Sequence, residues 1–218
     1  MKRRTLDVLF SAGGAVLAGL LLVAGIVLSA NANFANTYVR DQLSQQNITF
    51  KTVNTLTAEE KQQSCLVTYA GQQLTTGPQA ECYANHFIAL HLKSVGGGKT
   101  YAELGAPQTD LANRVAAAKK NNDPNLADLQ KQYNDISTAR DTVFKGETLR
   151  GLLLTSFGFS EFGRKAGQAA VVAYLAAILM ALMSIAGFIH AFVTPRSRAI
   201  GVPGPQAVTS SGKALAGV

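Results

Sequence analysis

Apolar residues gather in two uninterrupted blocks toward the ends of the chain. Residues 8–29, VLFSAGGAVLAGLLLVAGIVLS, form a run of 22 without a charge. Residues 169–193, AAVVAYLAAILMALMSIAGFIHAFV, form a second of 25, in which Tyr174 and His190 are the only ionisable side chains. A helix of about 20 apolar residues crosses a hydrocarbon core about 30 Å thick, so each block predicts a transmembrane helix. A cleavable signal peptide is the rival reading of the first block. MKRR suits an n-region, and Ala30-Asn31-Ala32 resembles a cleavage site. The block exceeds the usual apolar region of about 7–15 residues, which favours an uncleaved anchor.

Between the blocks the pattern breaks into shorter pieces. Residues 30–45 can carry the first helix onward, with Phe34, Tyr38 and Leu43 toward one side. Residues 48–53, ITFKTV, alternate and are rich in β-branched side chains, which predicts a short strand. Thr57-Ala58-Glu59-Glu60 reads as a capping box that opens a helix over 58–70, with Gly71 as its stop. Pro78 suits the first position of a next helix, which carries Cys82, Phe87, His91 and Leu92 and ends at Gly96-Gly97-Gly98. Thr100 and Glu103 form a second capping box ahead of a helix over 108–120, and Asn121-Asn122-Asp123-Pro124 breaks that helix. Beyond it, Leu126, Leu129, Tyr133, Ile136 and Val143 make one apolar seam crossed by Arg140, so a helical hairpin or an elbow at Pro124 is expected. Residues 147–163, ETLRGLLLTSFGFSEFG, are apolar but interrupted by Arg150 and Glu161. They read as an interfacial helix, a core helix or a docking surface, with Leu153 and Phe157 as partner-contact candidates.

Charge adds orientation. Of the 20 Lys and Arg residues, six lie at 1–7 and 194–218 against one acid, Asp7. The stretch 30–168 holds the other 14 against 12 acids, so five of the seven net positive charges flank the blocks. The positive-inside rule then places both termini in the cytoplasm. The expected division is a cytoplasmic tail at 1–7, a span at 8–29, an extracytoplasmic helical domain at 30–168, a span at 169–193 and a flexible cytoplasmic tail at 194–218. The basic excess follows topology, so no nucleic-acid partner is expected. The two cysteines, Cys65 and Cys82, both fall on the outer side, where an isolated pair is expected to form a disulfide. Two buried free thiols are the alternative.

Chemical motifs are sparse. Gly98-Lys99-Thr100 lacks the glycine that a phosphate loop needs five residues earlier, where Lys93 stands. His86 and His91 are five apart and do not share a helix face in the way that ligand pairs four apart do. Glu81 and Glu103 are the carboxylates that would have to complete a metal site with them. The expectation is no catalytic residue, no metal and no cofactor. The spans carry a different signal. Ala169, Ala173, Ala177 and Ala181 recur every four residues, as do Ser11, Ala15 and Gly19. Small residues let helix backbones approach closely, either the two spans to each other or each to a larger membrane complex.

The segment GPQAECYANHFIALHLKSVGGGKTYAELG at 77–105 and TLRGLLLTSFGFSEFGRKAGQAA at 148–170 resemble a group of small actinobacterial membrane proteins. The resemblance covers roughly 8–193 and implies two spans around an extracytoplasmic helical domain. Such proteins often carry a ring-opening dioxygenase label, yet no iron site of two histidines and a carboxylate is recognisable here. Similar small proteins accompany respiratory supercomplexes of cytochrome bc and cytochrome aa3. The expectation is therefore a mainly α protein in which two spans flank a small disulfide-linked domain. Its expected role is a non-catalytic accessory or assembly subunit among integral membrane subunits in the lipid bilayer. An extracytoplasmic sensor or ligand-binding module is the alternative, and a metal-dependent enzyme the third reading.

Overall fold

A computed structural model describes residues 3–193; the expected tail at 194–218 and its basic residues Arg196, Arg198 and Lys213 lie outside them, as does Lys2. The described chain is mainly helical. Its elements are α1 (Arg3–Gln45), a 3₁₀ turn (Val53–Thr55), α2 (Ala58–Lys61), α3 (Ser64–Thr68), α4 (Gly77–Cys82), a π-helical segment (Tyr83–Ile88), α5 (Ala89–Val95), α6 (Gly105–Asn121) and α7 (Leu126–Val193). Neither apolar block is a separate helix. The first lies inside the 43 residues of α1 and the second inside the 68 of α7. No proline falls within either helix, so nothing in the backbone chemistry stops them. Both are long and apolar enough to cross a membrane.

The described chain divides into two compact units, residues 3–27 with 170–193, and Leu28–Ala169. In the first, α1 and α7 run antiparallel and meet through small side chains. Ser11, Ala18, Ala170, Ala173, Ala177, Ser184 and Ala191 are buried. A Cβ added to Gly25 would come within 2.7 Å of the Tyr174 ring, so glycine is what allows that approach. Large apolar side chains point the other way: Phe10, Leu20, Val172, Ile178 and Phe192 are all exposed. His190 Nδ1 lies 3.1 Å from Asp7 Oδ2 at one end of the pair, and the Arg4 guanidinium sits 5.3 Å from the centre of the Phe192 ring.

The second unit has a conventional core of large side chains. Val39 and Leu43 of α1, Phe50, Leu66, Leu74, Ala80, Cys82, Ile88, Leu92 and Leu153 of α7 form one buried cluster. The Cys65–Cys82 disulfide ties α3 to α4 beside it, with the two Cα atoms 6.0 Å apart. Closing a loop of 17 residues contributes about 3 kcal/mol by the chain-entropy argument. Leaving this core, α6 packs on the early part of α7 as a hairpin. Gln108 Nε2 donates to Ser137 Oγ at 2.9 Å. Arg140, which interrupts the apolar seam, lies 4.2 Å from the centre of the Tyr101 ring and donates to Gln108 at 2.7 Å.

Several local expectations need correction. Residues 48–53 do not form a strand. Their pairing with the chain at 71–74 is limited to an isolated bridge, Thr49 to Gln73, and flanking bonds such as Phe50 N–H to Gln72 O at 2.9 Å. The 3₁₀ turn at 53 and the Thr76 cap of α4 leave no room for a longer ladder. The helix expected over 58–70 is two short ones, because Gln63 is extended at φ −89° and ψ 100°. The stretch 147–163 is part of α7 and not a helix of its own. Phe34 and Tyr38 do not share a face with Leu43; they are exposed, while Ala35, Val39 and Leu43 are buried.

Candidate functional site

Two features of the Leu28–Ala169 unit could serve function: a buried ionic centre and a surface that is partly cleft and partly apolar strip. The ionic centre begins with the capping box foreseen at Thr57 and Glu60. Both reciprocal bonds are present, Glu60 N–H to Thr57 Oγ1 at 3.1 Å and Thr57 N–H to Glu60 Oε2 at 2.8 Å. The box does more than cap, because the Glu60 side chain is only 2% exposed. Lys51 Nζ lies 2.9 and 3.2 Å from its two oxygens, and His91 Nε2 lies 3.8 Å from Oε1. Burial pushes the Glu60 carboxyl up; the Lys51 hydrogen bond, the Thr57 amide and the charges of Lys51 and His91 outweigh it and hold the carboxyl below its ordinary value. Tyr83 is pushed up, first by burial and then by the Glu60 charge.

An aromatic file leads from the core to this centre. Phe50 meets Tyr83 at 5.3 Å between ring centres, Tyr83 meets Phe87 at 4.6 Å, and Phe87 meets His91 at 4.4 Å. Lys51 Nζ stands 5.1 Å from the centre of the Phe87 ring. The widened i→i+5 turn of the π segment lets residues four apart stack in file. A cleft of about 160 Å³, lined by Thr57, Glu60 and His91 among others, opens over the pair. Both Glu60 oxygens are engaged, so an incoming ligand would have to displace Lys51. The arrangement is therefore a clamp that joins residues 51, 57, 60 and 91. Nothing in the sequence pattern links Lys51 or His91 to Glu60, since their meeting is made by the tertiary fold.

The residues considered for a metal site are not brought together. His86 Nδ1 faces Gln63 Oε1 at 2.8 Å, and His91 Nδ1 faces Phe87 O at 2.9 Å. Asn85 donates to Glu81 at 2.9 Å, and Glu103 takes the Thr100 amide at 2.7 Å around the turn at 101–104, a pairing that does not cap α6, whose N-cap Leu104 has no side-chain bond. Among the described residues no group of three or more His, Cys, Asp or Glu side chains is placed to hold a metal.

The partner-contact candidates divide. Ala173 and Ala177 are buried within the paired apolar helices, Ala181 is half-buried and Ala169 is exposed. The buried line is displaced by one residue at its start and runs through Ala170. Leu153 is also unavailable, being 3% exposed in the disulfide-linked core, and Phe157 is half-buried. The exposed apolar strip of α7 lies on another side, at Leu149, Leu152, Phe159 and Phe162. Their spacing of three and seven keeps them near one helix face. Phe159 stands edge-on to Phe34 and Tyr38 of α1, at 6.4 and 5.8 Å between ring centres.

A cleft of about 420 Å³ occupies a different side of the same two helices. Its walls are Asn36, Val39 and Arg40 of α1, Ser160 and Arg164 of α7, and the turn at 75–78. The turn comes this close because Gly77 has no side chain, and a Cβ there would overlap Ser160 Oγ. No protein-family model, curated protein or solved structure matches the chain.

Proposed function

We propose that the chain is a two-span membrane protein with both termini in the cytoplasm and the Leu28–Ala169 unit outside. In this reading it serves as a non-catalytic accessory or assembly subunit of a larger membrane complex. The lengths and apolar surfaces of α1 and α7 and the flanking basic residues support the topology. The disulfide is compatible with the outer location.

The observation that carries the accessory role is the apolar strip on α7. At about 1.5 Å per residue, Phe162 lies about 10 Å beyond Ala169 along the helix and Leu152 about 25 Å. The headgroup zone adds only about 5–8 Å on each side of the hydrocarbon core. Phe162 is 74% exposed and Leu152 62%, so Leu152 presents bare apolar surface beyond the reach of lipid. A partner subunit is what would cover it. Ser11 and Ala18 of α1 are buried with Ala170, Ala173 and Ala177 of α7, whereas Ala15, Gly19 and Ala169 of the expected small-residue faces are exposed.

A cytochrome bc and cytochrome aa3 assembly is the first partner to test, on the strength of the resemblance noted above. Mild-detergent purification of the tagged chain, followed by mass spectrometry at matching stoichiometry, is the experiment. The expected result is co-purification of oxidase and cytochrome bc subunits, lost in a Leu152→Ser/Phe162→Ser double variant that still forms the disulfide. A clean monomer or homodimer from the native chain would overturn the accessory reading. The 420 Å³ cleft favours a second reading, a ligand-binding module, because it falls within the size range of small-molecule sites.

A further inference from the structure

We infer that the pocket around Arg140, where α6 packs on the early part of α7, receives an acidic side chain of a partner subunit. This site rests on the accessory reading above and adds to the apolar strip a contact of different chemistry.

Charge is the first observation. Five arginines lie in the Leu28–Ala169 unit. Four of them face a carboxylate: Arg40 with Asp41 at 3.2 Å, Arg114 with Asp110 at 3.7 Å, Arg150 with Glu147 at 3.2 Å and Arg164 with Glu161 at 2.6 Å. Arg140 has no carboxylate partner among the described residues. Its neighbour Asp141 is committed to Lys145 at 2.6 Å, so the three side chains leave one net positive charge.

The fold holds this guanidinium with neutral groups instead. Nε donates to Tyr101 O at 3.3 Å, Nη1 donates to Gln108 Oε1 at 2.7 Å, and the Tyr101 ring covers one side. Nη2 has no hydrogen-bond partner among the described residues. A Cβ at Gly105 would stand 3.5 Å from it, so the glycine leaves that nitrogen uncovered. A half-buried cation that is oriented but not neutralised suits a carboxylate, which accepts charge-assisted hydrogen bonds.

Size and rim identify the carrier. The pocket is about 210 Å³. Small-molecule sites run from about 300 to 1,000 Å³, so this one takes a single side chain. Tyr101 and Phe144, with ring centres 5.5 Å apart, are both exposed at its edge. A free carboxylate would leave them in water and gain only what an exposed ion pair gains, which is little. A protein surface covers them as well, using the tyrosine and arginine that anchor protein interfaces. Position agrees. Phe144 precedes Phe162 by 18 residues, which is five full turns, so the pocket stands at the far end of the side of α7 that Phe162 occupies.

The test uses the full-length tagged chain in native membranes. Arg140→Lys keeps the charge and supplies an amine, which a water-soluble carbodiimide joins as an amide to a touching carboxylate. Mass spectrometry of the cross-linked peptides should show that amine bonded to one Asp or Glu of a co-purifying subunit. Arg140→Gln should lower recovery of that subunit roughly tenfold, as loss of an interface anchor does, while Arg114→Gln should leave it unchanged. Arg140→Glu combined with an arginine in place of the cross-linked acid should restore recovery. An intact disulfide and an unchanged melting profile certify that each variant is folded; should Arg140→Gln loosen α6, the Arg140→Lys cross-link still decides. Amide bonds confined to acids of the same chain, or unchanged recovery with folded Arg140→Gln, would overturn the site. Stabilisation of the purified chain by millimolar succinate, lost in Arg140→Gln, would assign the pocket to a free carboxylate and overturn the protein source. A subunit that co-purifies without a cross-link to this position removes only the pocket, whereas a chain that purifies alone removes the accessory reading and the pocket with it.

Discussion

The two units solve the packing problem in opposite ways. Where α1 and α7 pair through 3–27 and 170–193, they bury alanine, serine and glycine and turn leucine, valine and phenylalanine outward. The Leu28–Ala169 unit buries Leu66, Leu74, Phe50 and Leu92 and adds a disulfide and a buried ion pair. On the two-span reading the difference follows from solvent. In water, large apolar side chains are driven together by the loss of hydrated surface. In a bilayer that drive vanishes between helices, and close backbone approach takes its place. The same chain thus carries two incompatible packing rules, and a substitution that is harmless under one should be harmful under the other.

The largest effect should come from hollowing the large-residue core. Leu74 is fully buried, so Leu74→Ala is expected to destabilise the Leu28–Ala169 unit by about 3–4 kcal/mol. Thermal melting should shift accordingly, while the SDS concentration that separates the paired apolar helices stays unchanged. Movement of both would show that the two regions do not obey separate rules. Removal of the disulfide by Cys65→Ser should cost about 3 kcal/mol on the same melting curve, with membrane association retained. Finding two titratable thiols and an unaltered melting profile in the native chain would remove the bridge from the account.

Overpacking the small-residue face inverts the comparison. Ala177→Leu is expected to weaken the pairing of α1 and α7 by about 1–3 kcal/mol, read from SDS titration, with little change in the Leu28–Ala169 unit. The smallest effect is conditional on pH. Because the Glu60 carboxyl is held below its ordinary value of 4.5, its stabilisation is complete above that value and is lost as pH falls through the lower folded value. Melting of the Leu28–Ala169 unit should therefore fall more steeply with acid in the native chain than in Glu60→Gln. Parallel acid curves for the two would argue that the clamp carries no pH-dependent stability.

The parts legible in the sequence are those fixed by local chemistry. An uncharged run of 22 or 25 residues announces an apolar helix, and two cysteines allow one intramolecular pairing. Thr57 with Glu60 cap α2 as their three-residue spacing requires, whereas Thr100 and Glu103 make the same reciprocal bonds around the turn at 101–104 and α6 starts after Leu104 with no side-chain cap. Legibility failed where distant residues decide. The 48–53 segment has strand propensity but finds a partner only long enough for a bridge. The buried face near Ala169 passes through Ala170, a distinction that an alternation of small residues in an apolar run cannot make. Leu153 looks like a sticky surface residue until Val39, Leu43 and Leu66 are placed in the same core. Glu60 looks like a cap alone, and Lys51, nine positions earlier, turns it into a buried ion pair. Asp7 and His190 meet across 183 positions, a pairing that no local pattern encodes.

The membership of the large-residue core also sets a timetable for biosynthesis. Val39 and Leu43 emerge early, and the cluster from Phe50 to Leu92 follows, but Leu153 comes 61 residues after Leu92 (153 − 92). A ribosome extending the chain at about 5–20 residues per second leaves that cluster without its last wall for several seconds. During that interval Leu66 and Leu74 have the Cys65–Cys82 crosslink available but not the α7 surface that completes their enclosure. Chains that end before residue 153 lack the α7 side of this core.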